Sequence, residues 1–519
     1  MQLTASIANV FSSNQLTNYF KLPMQEYKRN IVIFTYVGIF SLAIPFLFWI
    51  SNRSTDRNLA LQPLEDKPLI PVTPAEKDVS SPNTANNIAQ RISIGEEILI
   101  TADRNLYKDS AASAFAAGDY NEAIAKYEAS LQVKRNDPET WIYKNNAQAL
   151  ASGNFLAIAT SVPIGGNLNV AKEMLRGVAQ LQQEVNSRGG INGKLLLVTI
   201  ANDDNNPQIA EQIARDFSQD EQILAVIGHN STEASVAAAS IYQQAGLVMI
   251  SPTTVGNSLS NAGSYIFRTT PDTRSTADTL ARYAVKTARK SKVAICFASD
   301  AKASQSYENA FEWSIFQAGG QLVKIDCDFS DPNFDPKNIP SQAISSGADA
   351  LLLAPSIYNI NQAVAVMQAN KKRLPLLANQ TMYNFETLEQ GKTDANGMVL
   401  SVAWYSELVS DKAFAEGVKT LWGGAVGWRT AMAYDAAKAI EIGLKSGASR
   451  QQLQKNLANP DFAFKGATGT VQFLPSGDRN LKGVLVKVQS GGRYGVGYDF
   501  VLMPTDDTTI RYTSTLKPS

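Results

Sequence analysis

Histidine and cysteine are nearly absent from this sequence, which has one histidine, His229, and two cysteines, Cys296 and Cys327, in 519 residues. A zinc site of the His/Cys type takes three or four such ligands, so this class of site is excluded in practice. Acid–base catalysis by histidine would depend on His229 alone. The nucleophile motif G-x-S-x-G and the phosphate-binding P-loop are also missing. We therefore predict that the chain is not an enzyme and uses no cofactor.

Charge of either sign is not in excess, because 47 lysines and arginines balance 47 aspartates and glutamates. A nucleic-acid-binding protein normally carries a basic excess, so we predict no nucleic-acid partner. The hydrophobic fraction of 44% and the charged fraction of 18% are those of an ordinary globular protein with a sizeable core.

A long uncharged run occupies residues 31–50. As a helix, a run of this length spans about 30 Å, the hydrocarbon thickness of a bilayer. The alternatives are a signal peptide, which would end in a small-residue cleavage site, and a core helix, which would be interrupted by polar positions. We predict an uncleaved single-pass membrane anchor, with residues 1–30 as a cytoplasmic tail because slightly more basic residues precede the run than follow it.

Two different segments separate this run from the rest of the chain. Residues 51–100 contain five of the 21 prolines and no aromatic residue, which predicts a disordered linker over 51–104. The Ala-rich segment 105–151 is predicted to be helical, and its Gly118-Asp119-Tyr120 … Tyr127 … Pro138 spacing resembles a tetratricopeptide repeat. A plain helical hairpin is the alternative. Because one repeat cannot bury its own faces, it must pack on the downstream domain or on a protein partner.

From residue 155 onward, apolar strand-like runs alternate with amphipathic helical stretches. This alternation is typical of parallel sheets covered by helices on both faces, so we predict the α/β fold class. The length favours two lobes over the alternative, one large doubly wound enzyme. We expect a two-lobed domain over 155–510, with the first lobe at about 155–270 and 400–467 and the second at about 271–399 and 468–510.

Hydroxyl side chains follow two of the predicted strands. Ser231 and Thr232 come after one strand, and Thr253 and Thr254 come after the next. Ligands of open parallel sheets bind where strand ends meet helix N-termini, because free N–H groups and the helix dipole collect there. The pattern indicates a site for an anionic group. The alternative is that these residues only cap helices, their commonest role.

Several motifs point to a known family. They are Gly189-Gly190-Ile191-Asn192-Gly193-Lys194, Asn202-Asp203-Asp204, Val226-Ile227-Gly228-His229, Met249-Ile250-Ser251-Pro252 and Ala433-Tyr434-Asp435-Ala436. Over roughly 155–500 the sequence resembles type I periplasmic binding proteins of the leucine/isoleucine/valine class. The resemblance implies two Rossmann-like lobes joined by three crossings, an amino-acid-like ligand buried on closure, and an ABC permease as partner. Together with the anchor, it implies a bacterial inner membrane protein whose main domain is periplasmic.

The resemblance also implies which residues hold the ligand carboxylate. The family's hydroxyl position falls on Thr232, next to Ser231, and further groups come from Thr253. A second hydroxyl is usual at the position of Val255, where this chain has none. Thr254 is the predicted substitute.

The remaining family positions are only partly kept. The acidic residue that binds the ligand ammonium falls on Gln380, which is uncharged, and aromatic pocket positions fall on Ala303 and Ser356. Tyr307 and Tyr383 lie nearby in the sequence and are the predicted aromatic contacts. Loss of the carboxylate removes a bond of about 1.5–3 kcal/mol. We therefore expect a ligand that is not a simple α-amino acid, or weak binding.

Three other features carry weaker predictions. His229, at a strand end, is expected to be structural, and the glycines of 491–497 are expected to form a turn. An export compartment permits a disulfide between Cys296 and Cys327, but buried free thiols are equally compatible with the sequence.

The sequence as a whole predicts a membrane-anchored extracytoplasmic solute-binding protein whose closure is recognised by a permease or sensor. The alternative is a sensory or scaffold ectodomain with a degenerate cleft, in which residues 105–151 recruit a protein partner.

Overall fold

The computed structural model describes residues 88–409 and 411–504, all within one compact unit. These residues form two α/β lobes, each built on its own sheet. The chain passes between the lobes three times, after residues 268, 402 and 473. The two-lobed α/β architecture predicted from the alternation of strands and helices is confirmed.

The first lobe contains a six-stranded sheet of order β1-β3-β2-β4-β5-β6. All neighbouring pairs are parallel except β1 with β3. The strands are β1 (Ile92–Ser93), β2 (Phe155–Val162), β3 (Leu195–Asn202), β4 (Ile223–Ile227), β5 (Val248–Ser251) and β6 (Ile266–Arg268). Ile158 and Ala159 of β2 belong to hydrophobic clusters on opposite faces, as expected for a sheet covered on both sides.

The second lobe contains a seven-stranded sheet of order β15-β14-β11-β10-β9-β7-β8. The strands are β7 (Lys292–Phe297), β8 (Gln321–Val323), β9 (Ala350–Ala354), β10 (Leu376–Ala378), β11 (Val399–Val402), β14 (Val484–Ser490) and β15 (Tyr498–Leu502). Strands β7 to β11 are parallel, and β14 and β15 add an antiparallel edge. A separate hairpin joins β12 (Ala463–Gly466) to β13 (Gly469–Gln472).

Helices cover both sheets. Those of the N-terminal region and first lobe are α1 (Leu106–Ala116), α2 (Tyr120–Val133), α3 (Pro138–Ser152), α4 (Leu168–Ser187), α5 (Pro207–Gln219), α6 (Thr232–Gln244), α12 (Lys412–Gly417), α13 (Trp428–Leu444) and α14 (Arg450–Leu457). Those of the second lobe are α7 (Thr273–Arg282), α8 (Lys302–Ala318), α9 (Ile339–Ser345), α10 (Ile360–Asn370) and α11 (Phe385–Ala395).

The linker predicted over 51–104 is wrong for residues 88–104, which fold onto the first lobe. Strand β1 pairs with the edge of β3, with Ile92 opposite Ala201. Ile100 is 1% exposed, although the segment has no aromatic residue of its own. The apolar side chains are buried against neighbouring helices and the sheet edge, and this offsets the entropy cost of ordering the segment. Residues 51–87 lie outside the described part of the chain.

The segment predicted to be helical, 105–151, forms α1, α2 and α3. Helix α3 packs on α4 and β3 of the first lobe. The downstream domain therefore covers one face of the helical region, which cannot bury its faces by itself. Asn146 of α3 donates to the carbonyl of Val198 in β3 at 2.7 Å. The tetratricopeptide resemblance stays a prediction.

Cys296 and Cys327 form a disulfide bond, which resolves the alternative that the sequence left open. The bond links the end of β7 to the segment after β8. Residues 491–497 connect β14 to β15, so the predicted turn is confirmed.

Across residues 88–409 and 411–504, no helix combines the length and hydropathy needed to cross a bilayer. The anchor predicted at 31–50 and the tail at 1–30 lie outside these residues.

Candidate functional site

The first-lobe strand ends carry the predicted hydroxyls, most of which hold the local loops together. Ser231 caps α6 by accepting a hydrogen bond from the Ala234 N–H at 3.1 Å. Thr253 Oγ1 donates to the carbonyl of Asn230 at 3.2 Å. Thr254 Oγ1 lies 2.6 Å from the hydroxyl of Ser235. Ligand contacts by Ser231, Thr253 and Thr254 stay predictions, since these hydroxyls already have partners.

Thr232 differs from its neighbours. It is 3% exposed, and its hydroxyl makes no hydrogen bond with any residue of the described part. Its side chain lies against Gly256, where an added Cβ would come within 2.5 Å of the Thr232 Cγ2. A glycine at 256 therefore makes room for the Thr232 side chain between the two strand ends.

His229 has a structural position, as the sequence predicts. Its Nδ1 lies 2.7 Å from Asp203 Oδ2, and its Nε2 lies 3.2 Å from the hydroxyl of Tyr242. Asp203 also accepts a hydrogen bond from Ser161 at 2.9 Å. The ring is fully buried and both nitrogens are paired, so it fixes β2, β4 and α6 relative to one another.

In the second lobe, Ser356 and Gln380 follow β9 and β10. The Ser356 hydroxyl donates to the amide oxygen of Asn359. Gln380 begins a short 3-10 helix, Gln380–Met382, and is 6% exposed. Its Oε1 is buried and has no hydrogen-bond partner within the described residues. A buried unpaired acceptor costs free energy, so Gln380 is suited to accept a hydrogen bond from a ligand.

The two predicted tyrosines occupy different environments. Tyr307 is 3% exposed and belongs to the core between α7, α8 and β7, with its ring stacked on Phe311. Tyr383 packs edge-to-face on Phe500, with ring centroids 4.7 Å apart. Burial raises the pKa of both phenols, so they stay neutral at physiological pH. Of the eight predicted site residues, only Tyr383 lines the cavity described next.

A cavity of about 620 Å³ lies between the lobes, and we call it the interlobe cavity. The first lobe contributes the first turns of α4 and the segment 425–429, which leads into α13. The second lobe contributes α11 and the aromatic residues Tyr383, Tyr494 and Phe500. Because both lobes form its walls, a molecule bound there contacts both.

Arg176 and Glu386 in this cavity were missed by sequence reasoning. Both are half-buried charged residues on opposite walls. Charged residues of amphipathic helices normally face solvent, so neither attracts notice in a sequence. The signal for Arg176 is its position among Met174, Leu175 and Gly177, all of which are buried.

A direct contact joins the lobes beside α6. Glu233 Oε1 accepts a hydrogen bond from the Lys302 N–H at 2.9 Å. Lys302 is the first residue of α8, and the residue before it, Ala301, provides no side-chain cap. A carboxylate of the first lobe thus caps a helix of the second lobe.

Throughout the described ranges, no three His, Cys, Asp or Glu side chains are grouped so that they could hold a metal ion.

Comparison with known proteins gives the family. A family model described as "Periplasmic binding protein" matches residues 156–493. The leucine-specific-binding protein of Salmonella typhimurium is 32% identical over 120 residues, 23% of this chain and 32% of that protein. The chain spans only 24% to 32% of the length of the first curated relatives that it matches.

Solved structures share the fold. A leucine binding protein from Thermotoga maritima has a TM-score of 0.59 at 18% identity, covering 67% of this chain and 97% of that chain. A Rhodopseudomonas palustris solute binding protein in complex with 4-hydroxybenzoate has a TM-score of 0.59 at 18% identity, covering 67% and 96%. The resemblance drawn from the motifs is confirmed, and the chain belongs to the periplasmic binding protein family, whose members bind solutes and are not enzymes.

Proposed function

We propose that the chain is an extracytoplasmic solute-binding protein that captures an amino-acid-like small molecule between its lobes and presents it to an ABC permease. The observation that carries this proposal is the interlobe cavity of about 620 Å³ with walls from both lobes. A ligand in such a cavity contacts both lobes only when they are close together, so binding favours the closed conformation. Closure is then the signal that the permease recognises.

The membrane anchor at 31–50 and the cytoplasmic tail at 1–30 are part of this proposal. They would place the two-lobed domain on the periplasmic side of a bacterial inner membrane, next to the permease. The uncharged run and the adjoining proline-rich segment support this arrangement.

The ligand is expected to be small and to carry a carboxylate. Two polar groups without a hydrogen-bond partner in the described residues follow strand ends of the two lobes. The Thr232 hydroxyl can donate to a carboxylate, whereas the Gln380 Oε1 can accept only from a donor group of the ligand. Related proteins named for leucine and 4-hydroxybenzoate support a carboxylate-bearing ligand. The second of these ligands has no ammonium group, so the fold also accepts molecules that do not need an acidic partner.

A direct test is to purify the full-length chain, identify co-purifying small molecules by mass spectrometry, and titrate leucine and 4-hydroxybenzoate calorimetrically. Binding stabilises a folded protein by mass action, so a ligand should also raise the melting temperature. No bound molecule, no heat of binding and no thermal shift at millimolar concentrations would contradict the proposal.

A second candidate is a sensory or scaffold ectodomain with a degenerate cleft. It is favoured by the internal hydrogen bonds of Ser231, Thr253 and Thr254, and by exposed apolar side chains on the helical region, such as Leu106 and Val133, which are 84% and 63% exposed. Pull-down of membrane partners with the Leu106→Ser and Val133→Ser double variant separates the two. Partner loss without any change in ligand binding would favour the scaffold.

A further inference from the structure

The interlobe cavity separates its charges by lobe. Its first-lobe wall carries three cations, Lys172, Arg176 and Arg429, and one carboxylate, Glu173. Its second-lobe wall carries carboxylates on α11, of which Glu386 is half-buried. A cavity with opposite charges on opposite walls favours a molecule that carries both charges.

Two of the first-lobe cations are already neutralised. Lys172 Nζ lies 2.7 Å from Asp103 Oδ1, and Arg429 Nη1 lies 3.1 Å from Glu173 Oε2. Arg429 is also held over the ring of Trp428, 4.7 Å from its centroid. Neither cation is free to bind another anion without giving up this pairing.

Arg176 is different, because its guanidinium makes no hydrogen bond and no ion pair with any residue in the described ranges. Burial lowers the pKa of Arg176, and the more distant carboxylates of Glu173, Asp103 and Asp137 offset only part of this effect. A half-buried guanidinium with five N–H donors and no partner is suited to bind a carboxylate through two parallel hydrogen bonds.

The facing wall offers the complementary group. Glu386 accepts a hydrogen bond from Gln390 Nε2 at 2.9 Å but forms no ion pair within the described residues. It occupies the first turn of α11, next to the positive end of the helix dipole. It lies six residues after Gln380, the uncharged residue at the family's acidic position.

We propose that a small zwitterion binds in the interlobe cavity, with its carboxylate on Arg176 and its ammonium group on Glu386. The assignment rests on the proposed function, which it makes specific. Glu386 supplies the negative charge that Gln380 lacks. The aromatic rings of Tyr383 and Trp428 line the same cavity and bound the apolar part of the ligand.

The test is calorimetric titration of the full-length chain with three probes: leucine, the dipeptide Ala-Leu, and 4-hydroxybenzoate, which has no ammonium group. Arg176→Gln should weaken binding of every probe that the wild type binds by about tenfold to a hundredfold. Glu386→Gln should weaken only leucine and the dipeptide. Arg176→Lys should recover part of the affinity, which separates a charge effect from a packing defect. Exposed Arg135→Gln and Glu312→Gln are the matched controls, and melting temperatures confirm folding.

Unchanged affinities in both Arg176→Gln and Glu386→Gln would overturn the assignment. So would strong loss in Thr232→Val with full binding in Arg176→Gln. In either case the wild type still binds a probe, and the proposed function survives. If no probe binds the wild type at millimolar concentration, the proposed function fails and the assignment fails with it.

Discussion

Lys108 is fully buried between two carboxylates. Its Nζ lies 2.6 Å from Asp137 Oδ2 and 2.7 Å from Glu139 Oε2, and all three side chains are 0% exposed. Asp137 also caps α3, and Glu139 accepts a hydrogen bond from the Leu99 N–H at 2.8 Å. Burial opposes the charge on Lys108, but the two carboxylates outweigh it, so the pKa of Lys108 is raised. These charges join α1, α3 and the segment before α1.

Lys108→Met should therefore destabilise the protein strongly. Removing one member of a buried ionic group leaves the others uncompensated, which typically costs about 3–5 kcal/mol. Urea unfolding measures the change in free energy of unfolding. Lys126→Met, which removes an exposed pair with Glu122, is the control and should cost less than about 0.5 kcal/mol. Equal small effects in both variants would show that the buried charges contribute little.

The ion pairs of Asp103 should make the free energy of unfolding depend on pH. It pairs with Lys134 and Lys172, which lower its pKa below the ordinary 3.8 despite its burial. The folded state thus favours the ionised form, so its contribution is present above pH 3.8 and is lost as pH falls through the lower folded-state pKa. Asp103→Asn should cost about 1–3 kcal/mol at pH 7. That difference from wild type should shrink below pH 4, as followed by urea unfolding between pH 7 and about pH 2.5. A constant difference would contradict this account.

Individual site residues were only partly predictable. Sequence position correctly placed Thr232 and Gln380 after strands, because the ends of parallel strands follow from the alternation of elements. It gave no indication that the Thr254 hydroxyl would be taken by Ser235, since such pairs depend on side-chain packing between strands. Arg176 and Glu386 are far apart in sequence, and only the arrangement of the two lobes places both on the walls of one cavity.

Helices α4 and α13 run side by side in close contact at Gly177. A Cβ at this position would lie 2.3 Å from the carbonyl oxygen of Thr430 and 2.5 Å from the backbone nitrogen of Tyr434. Both are backbone atoms, so they cannot move aside without shifting α13. The glycine therefore sets the distance between the two helices whose N-termini border the interlobe cavity.

Gly177→Ala should lower stability by about 1–3 kcal/mol, the usual cost of overpacking, even though alanine is the better helix former. Thermal or urea unfolding measures the loss. Gly424→Ala is the matched control, because nothing lies within 4 Å of the Cβ it would add. A gain in stability for Gly177→Ala would show that α13 can relax away from α4.

Among the secondary-structure elements, the central strands of both sheets were predictable from the sequence, and the edge strand β1 was not. Strands such as β4 and β9 are continuous apolar runs, which a sequence shows directly. Strand β1 has only two residues, and pairing with β3 makes it a strand. The linker prediction failed at 88–104 because the composition of a segment does not show which apolar surfaces elsewhere in the chain it will pack against.

At the scale of the whole molecule, the Glu233–Lys302 contact links the two lobes and should bias closure. Glu233→Ala removes a helix cap, worth about 1 kcal/mol, that forms only when the lobes approach. We expect about fivefold weaker binding of leucine or 4-hydroxybenzoate by calorimetry, with little change in urea stability. Small-angle X-ray scattering should give a larger radius of gyration for the ligand-free variant. Glu312→Ala, at an exposed position of α8, the helix that Glu233 caps, is the control. An unchanged affinity for Glu233→Ala would show that this contact does not contribute to closure.

The N-terminal segment is part of the first lobe, so the proposed anchor at 31–50 would connect to that lobe. Strand β1 extends the sheet of the first lobe, and α3 packs on α4 of that lobe. Anything fastened to the chain before Ile88 is therefore fastened to the first lobe. If closure is a hinge movement, the second lobe moves relative to a first lobe that is held at the membrane. A partner in the same membrane would then detect a bound ligand as a displacement of the outer surface of the second lobe.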